Sequence, residues 1–183
     1  MPWPFLYRSG DVLSEAELCA ARLDGDLVEV GEAFMPADAV ETRELRAGSL
    51  RGWLPPAVAL TRVSAAWVHG AVPDPPVRHS VQRLSPTRIP HVIDVRLTYR
   101  DRVVPEADVM RISGVAVTSP ERTLADLVRD LHGGEPVEPL IEAMIAWRPH
   151  LCVGAAEQLA RGRLHHKRAA LAYLRRRQDE VTR

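Results

Sequence analysis

The chain has 183 residues, of which 46% are hydrophobic and 26% charged, and its formal net charge at pH 7 is zero. That suffices for one medium domain, or one domain with an appendage, built on a real apolar core. No apolar run approaches the roughly 20 residues of a membrane helix, and Met1-Pro2-Trp3-Pro4-Phe5 lacks the charged start and long apolar centre of a secretion signal. Cys19 and Cys152 are too few and too far apart for a disulfide framework, so a cytoplasmic protein in a reducing compartment is expected.

The zero average hides a gradient. Residues 1–45 carry ten acids against three arginines, a net of −7, and residues 161–183 carry eight basic groups against two acids, a net of +6. Lys167 is the only lysine, so 23 of the 24 basic residues are arginine, whose planar forks fit carboxylates and phosphates. The skew also points to a GC-rich bacterial genome.

In chain order, residues 1–12 are irregular and punctuated by proline. Ser14 can cap a helix from Glu15 to about Leu23, with Ala16, Cys19, Ala20 and Leu23 on one side and Asp24-Gly25 as its stop. Leu27–Val30, Gly31-Glu32 and Ala33–Met35 read as a tight hairpin. A helix followed by a two-stranded wing is the last part of a winged helix, but too few residues precede it for the two helices that would complete one. A helix is predicted over Thr42–Trp53, burying Leu45, Leu50 and Trp53, and Pro55-Pro56 breaks it. A short strand at 57–60 leads into a compact helix at 61–69, closed by Gly70, whose small residues Ser64 and Ala65 let another element approach. Strand character follows at Val77–Leu84, Ile89–Tyr99 and Val109–Ile112, and Ser113-Gly114 joins the last of these to Val115–Val117.

The stretch Gly114–Leu131 is the firmest. After the strand, Ser119 offers a cap oxygen, Pro120 loses no hydrogen bond at the first helical position, and Glu121 meets the positive end of the helix dipole. Leu124, Leu127, Val128 and Leu131 then fall at i, i+3, i+4 and i+7, and Gly133-Gly134 can end the helix. Further helices are predicted over 137–147, 154–160 and 165–181, the last with a weak apolar side of Ala169, Ala170, Ala172, Tyr173 and Leu174. The fold class is therefore α+β. A central, mainly antiparallel sheet (57–118) is flanked by helices, a helical part (119–183) follows, and residues 1–45 form a truncated winged-helix-like N-terminus ahead of a main domain at 46–183.

Catalytic signatures are scarce. No H-x-x-x-H, H-E-x-x-H or C-x-x-C offers a metal site, and His165-His166 would lie about 100° apart on a helix, poorly placed to chelate. His69 reads as a cation at a helix C-terminus or as a hydrogen-bonded group at the core edge. No phosphate-binding loop, dinucleotide fingerprint or nucleophile elbow is present. Asp24-Gly25-Asp26 is the D-x-D that can hold metal ions in nucleotidyl transfer, but without a Gly-Ser loop before it a plain turn is expected. A nuclease of the D…(D/E)-x-K type would need an acid where His165 stands before Lys167. No catalytic residue, metal or cofactor is assigned. What remains is charge: Asp24, Asp26, Glu29 and Glu32 on one side, and Arg163, Lys167, Arg168, Arg175 and Arg176 on the other, as candidate partner-binding groups.

Three blocks carry a resemblance: E-L-C-A-A-R-L-D-G-D-L-V-E-V-G at 17–31, L-T-R-V-S-A-A-W-V-H-G at 60–70, and G-V-A-V-T-S-P-E-R-T-L-A-D-L at 114–127. In this order and spacing the chain resembles the AbiEi-type antitoxins of bacterial toxin–antitoxin systems, in their actinobacterial form, over roughly residues 14–175. The resemblance implies a cytoplasmic antitoxin, with 46–183 as the antitoxin domain and a nucleotidyltransferase-type toxin as partner. It implies no small-molecule substrate, no membrane and no enzyme. Two alternatives are DNA binding as a regulator of its own operon and enzymatic modification of the toxin. Relatives pair the antitoxin domain with a full winged helix, and some append an endonuclease domain. The reduced front end and the stop at Arg183 lead one to expect weakened operator binding and no endonuclease.

Overall fold

The computed structural model of the chain describes residues 5–89, 94–161 and 164–181. It opens with α1 (Glu15–Asp24) and a hairpin of β1 (Leu27–Val30) and β2 (Ala33–Pro36), the expected helix and wing. Ser14 and Glu17 form a capping box: the Ser14 hydroxyl accepts the Glu17 amide, and the Glu17 carboxylate accepts the Ser14 amide at 2.8 Å. Such a cap contributes about 1 kcal/mol. The hairpin turn places Gly31 at φ 54, the left-handed region that a II′ turn requires at its first central residue. The hairpin sits hard against the body. Val30, Ala33 and Met35 share one apolar cluster with Leu45, Trp67 and Val117.

The second helix, α2 (Arg43–Ser49), is shorter than the 42–53 predicted. Gly48 and Ser49 are weak helix formers, and Gly52 takes a φ of 88 that no right-handed helix allows. Leu45 and Leu50 are buried as expected, whereas Trp53 is half-buried.

Five strands make the main sheet: β3 (Val58–Leu60), β4 (His79–Arg83), β5 (Leu97–Val103), β6 (Val109–Ile112) and β7 (Val115–Thr118), in the order β5-β4-β3-β7-β6. The β3–β4 and β6–β7 pairs are antiparallel, and β3–β7 and β4–β5 are parallel. With the β1–β2 hairpin, three of the five pairings among the described residues are antiparallel. The central strands β3 and β7 are buried at every position, the mark of a strand covered on both faces. The strand expected at 89–99 starts only at Leu97, and 90–93 lie outside the described residues. The Asp94 side chain accepts the Arg96 amide at 2.8 Å, a local bond that competes with strand pairing there. Ser113 and Gly114, at φ 50 and 83, join β6 to β7 as expected.

Helix α3 (Arg62–His69) follows β3, and Gly70 at φ 92 closes it. Its Ser64 does admit a neighbour: the hydroxyl accepts the Ser80 amide of β4 at 2.8 Å. After β7 come α4 (Pro120–His132), α5 (Glu138–Trp147), α6 (Leu151–Ala160) and α7 (Lys167–Val181). The Ser119 hydroxyl caps α4 by accepting the Arg122 amide at 3.2 Å, and Leu124, Leu127 and Val128 are fully buried. The left-handed residue that ends α4 is Gly134, at φ 90, not Gly133. Helix α6 starts three residues ahead of the predicted 154, because Gly154 is a packing residue and not a boundary: a Cβ there would lie 2.6 Å from Glu121 Cγ on α4. Leu127, Ile141, Met144, Leu159 and Leu174 build a second apolar cluster among these helices. The two clusters meet at α3, which gives Trp67 to the first and Ala66 to the second. Among the described residues no helix is long and apolar enough to cross a membrane.

Candidate interaction surfaces and an arginine cleft

The four N-terminal acids are all exposed and lie within one small unit. Asp24 ends α1, Asp26 leads into β1, Glu29 points outward from β1, and Glu32 sits in the hairpin turn. Gly25, at φ 86, makes the D-x-D a helix stop and turn, as expected. Glu29 pairs with Arg22 at 3.3 Å and Glu32 with Arg96 at 2.9 Å, while Asp24 and Asp26 have no ion pair among the described residues. The apolar side of α1 is not covered. Ala16, Cys19, Ala20 and Leu23 all face solvent, and Leu18 alone of α1 is buried. Helix α1 therefore exposes an apolar stripe that includes Leu23, at 80%, and Val28 of β1 and Val40 after β2 are also exposed, at 42% and 80%. The sequence held the stripe but not its direction, since periodicity finds an apolar face without saying what covers it.

The basic candidates are less uniform. Lys167 donates from Nζ to the Ala160 carbonyl at 2.8 Å and so ties α6 to α7. Arg168 and Arg175, one exposed face apart by two turns, carry no ion pair among the described residues. Arg176 lies 5.5 Å from the Tyr173 ring centroid and 4.0 Å from Glu180. Arg163 lies outside the described residues. Helix α7 belongs to the second apolar cluster and the hairpin to the first, so the fold does not merge the acidic and basic sets into one site.

A third feature is absent from the sequence reading. Between the start of α3, strand β5, the end of α4 and the residues before α7 lies a cavity of about 400 Å³. Arg62, Arg100, Arg102 and Arg129 line it, with Asp130, Glu135 and the stacked rings of His165 and His166, 5.0 Å apart. The expected helix start at His165 is displaced to Lys167, and His166 has φ 57. Arg62 is also at a positive φ, 55, in the sharp turn from β3 into α3, a conformation that costs a residue with a Cβ on the order of 1–2 kcal/mol. Its side chain is buried and grips Asp130 with Nε on Oδ2 and Nη2 on Oδ1 at 3.3 Å. Its Nη1 is buried with no hydrogen-bond partner among the described residues. Arg100 stands 3.7 Å from Asp130 and 3.3 Å from Glu135. Arg129 donates to the His165 carbonyl at 3.1 Å and to Asp126 at 3.0 Å. These residues come from four separate stretches with no motif spacing, so only the fold could gather them.

Beside the cleft runs a buried ion-pair ladder. Arg122 donates to Asp108 and to Asp126 at 2.9 Å, Asp126 also holds Arg129, and Gln158 of α6 donates to Asp108. Burial alone would pull the Arg122 pKa down, but Asp126 and Asp108 outweigh it and raise it. The ladder pins α4 to α6 and to the turn before β6. Two histidines are buried, His69 at the end of α3 and His79 at the start of β4. His69 donates from Nε2 to the Thr118 carbonyl at 2.7 Å and stacks on Trp147, and burial lowers its pKa. It is the hydrogen-bonded core group of the two readings, not a helix-end cation. His79 sits between Trp53 and Trp67 with Nδ1 3.2 Å from the Ser64 hydroxyl, and burial, helped by Arg96, lowers its pKa to about 4. Among the described residues no group of three or more His, Cys, Asp or Glu side chains could hold a metal ion.

Comparison with known proteins agrees with this architecture. Residues 57–174, more than half of the chain, match the family described as AbiEi antitoxin C-terminal domain. No curated protein matches the chain. A solved structure, the RV2827C protein from Mycobacterium tuberculosis, is similar over 90% of this chain, with 17% identity and a TM-score of 0.51. At that identity the likeness shows a shared fold. This chain spans 65% of the length of that one.

Proposed function

From the fact that the chain belongs to the AbiEi antitoxin family, we propose that it neutralises a cognate nucleotidyltransferase-type toxin by binding it, in the cytoplasm, through the N-terminal unit of residues 1–45. An antitoxin role follows from the family; the toxin type and the docking surface are our reading. One observation carries the choice of surface. The exposed side of α1 and its hairpin combines apolar side chains with acids, of which Asp24 and Asp26 have no ion pair among the described residues and Glu29 has only the exposed Arg22. Exposed apolar groups rimmed by charge mark protein-binding patches on soluble folds. A toxin that handles tRNA must itself present a basic surface to phosphates, and Asp24, Asp26 and Glu29 would meet it as an acidic mimic. On this reading the chain acts by shape and charge, with no bond-making of its own.

The test is co-expression with the product of the reading frame adjoining its gene. The proposal expects growth rescue and co-elution of the two proteins. Rescue without any association would sink it in favour of modification or indirect antagonism. A second reading has one observation in its favour, the exposed Arg168 and Arg175 on one face of α7, which carry no ion pair among the described residues. Contact with nucleic acid through that face would make affinity for the operon's upstream DNA fall steeply with salt.

A further inference from the structure

The arginine cleft takes no part in the proposed docking. Four guanidinium groups face one cavity of about 400 Å³, within the range of small-ligand sites. The carboxylates on its wall are already held: Asp101 by Arg83 and Arg88, both at 2.8 Å, Asp130 by Arg62, and Glu135 by Arg100. Arg102, exposed on β5, has no ion pair among the described residues and adds uncompensated positive charge at the mouth. At the back, Arg62 is only 7% exposed, and its buried Nη1 has no acceptor among the described residues. Arg62 also opens α3, whose cap residue Thr61 makes no side-chain cap bond, so the positive end of that helix adds to the field. The bond to Asp130 holds the guanidinium there.

We infer that this cleft binds a phosphate group, carried by free pyrophosphate or by a nucleotide, with Arg62 and Arg129 as its wall and Arg100 and Arg102 closing on the phosphate oxygens. A carboxylate ligand would be met by one guanidinium, whereas the exposed Arg102, together with the N–H groups that Arg100 and Arg129 keep beside their internal partners, matches the larger number of acceptor oxygens on a phosphate. The inference concerns a site separate from the toxin-docking face and does not depend on it.

The experiment is calorimetric titration of the full chain with pyrophosphate, with ATP and with a short single-stranded RNA, at matched ionic strength. The variants are Arg102→Ala and Arg100→Gln, both partly or fully exposed, and, as control, Arg111→Ala, exposed on β6 at the opposite edge of the sheet from β5. Saturable one-to-one binding is expected, weakened at least tenfold in both cleft variants and unchanged in the control. Equal affinity for pyrophosphate and ATP identifies the phosphate alone as the ligand; tighter binding of ATP by tenfold or more identifies a nucleotide. Thermal unfolding of the variants checks that they are folded, and Arg102→Ala decides alone if Arg100→Gln is not. No saturable binding at millimolar concentration, binding of RNA only, or equal weakening by Arg111→Ala overturns the inference.

Discussion

Glu32, in the β1–β2 turn, accepts a hydrogen bond from Arg96 Nη1 at 2.9 Å across 64 residues of sequence. The same guanidinium lies 4.4 Å over the Trp53 ring. One edge of the acidic unit is thus fastened to the body, and the charge of Glu32 is already answered within the chain. A half-exposed pair of this kind contributes no more than about 1 kcal/mol to stability, but it leaves Glu32 a poor group for a partner. The expected outcome is a graded one. Glu32→Gln should weaken toxin binding less than about threefold, and Asp24→Asn with Asp26→Asn about tenfold, a difference on the order of 1 kcal/mol. Titration calorimetry on the purified pair measures both.

Asp126 is the hinge of the buried ladder, taking Arg122 on one oxygen and Arg129 on the other. Removing it leaves two guanidinium groups buried without their shared counter-charge, which costs about 3–5 kcal/mol. Asp126→Ala is therefore expected to lower the thermal midpoint by roughly 10 °C or more for a chain of this size. Differential scanning calorimetry would show it. A shift of a degree or two would mean that the ladder is decorative.

Gly31 makes a sharper local test. A Cβ there would sit 2.3 Å from Ser49 Oγ and 3.0 Å from the Trp67 ring, on a backbone at φ 54. Ser49 is buried and donates to the Arg46 carbonyl at 2.7 Å, so it has little room to yield. Gly31→Ala is expected to destabilise the chain by about 2–3 kcal/mol, from the strained φ and the overpacking together. Urea unfolding gives the value.

Much of this architecture was legible because it rests on local chemistry. Ser119-Pro120-Glu121, the Ser113-Gly114 turn and the Leu124–Leu127–Val128 spacing each point to one conformation, and each is found. The errors are also physical. The 42–53 helix was overextended because Leu50 and Trp53 keep helical spacing while Gly48, Ser49 and Gly52 stop the helix. The strand before Tyr99 was placed early because the apolar alternation gives no weight to the Asp94 side chain bonding its own backbone. The apolar side of α1 is read correctly as one face, but its exposure is not legible, because a face without a partner and a face with one have the same periodicity. The arginine cleft had no local signal at all. Its residues come from α3, β5, α4 and the segment before α7, and Arg62 looks like any solvated charge until the turn after β3 buries it.

The buried histidines set a pH dependence. His79 titrates near 4 in the folded chain against 6.5 ordinarily, chiefly through burial, and His69 is lowered for the same reason. As pH falls through about 6.5 the unfolded chain takes up protons on these rings and the folded chain does not. Their contribution to stability is therefore fully present above pH 6.5 and is lost progressively toward pH 4. The His79 share is at most about 3 kcal/mol. Between pH 7 and 5, above the titration of ordinary carboxylates, the urea midpoint should fall, and His79→Gln should flatten part of that slope. A midpoint constant over this range would contradict the buried neutral state.

The account rests on docking through the acidic, apolar N-terminal unit, and the most direct measurement is the affinity of three proteins for the adjoining gene's product at 0.1 M salt. These are the native chain, the triple reversal Asp24→Arg, Asp26→Arg and Glu29→Arg, and the triple reversal Arg168→Glu, Arg175→Glu and Arg176→Glu. The first reversal is expected to weaken binding by about a hundredfold, roughly 3 kcal/mol, and the second by less than threefold. The opposite order, or no loss in either, would contradict it.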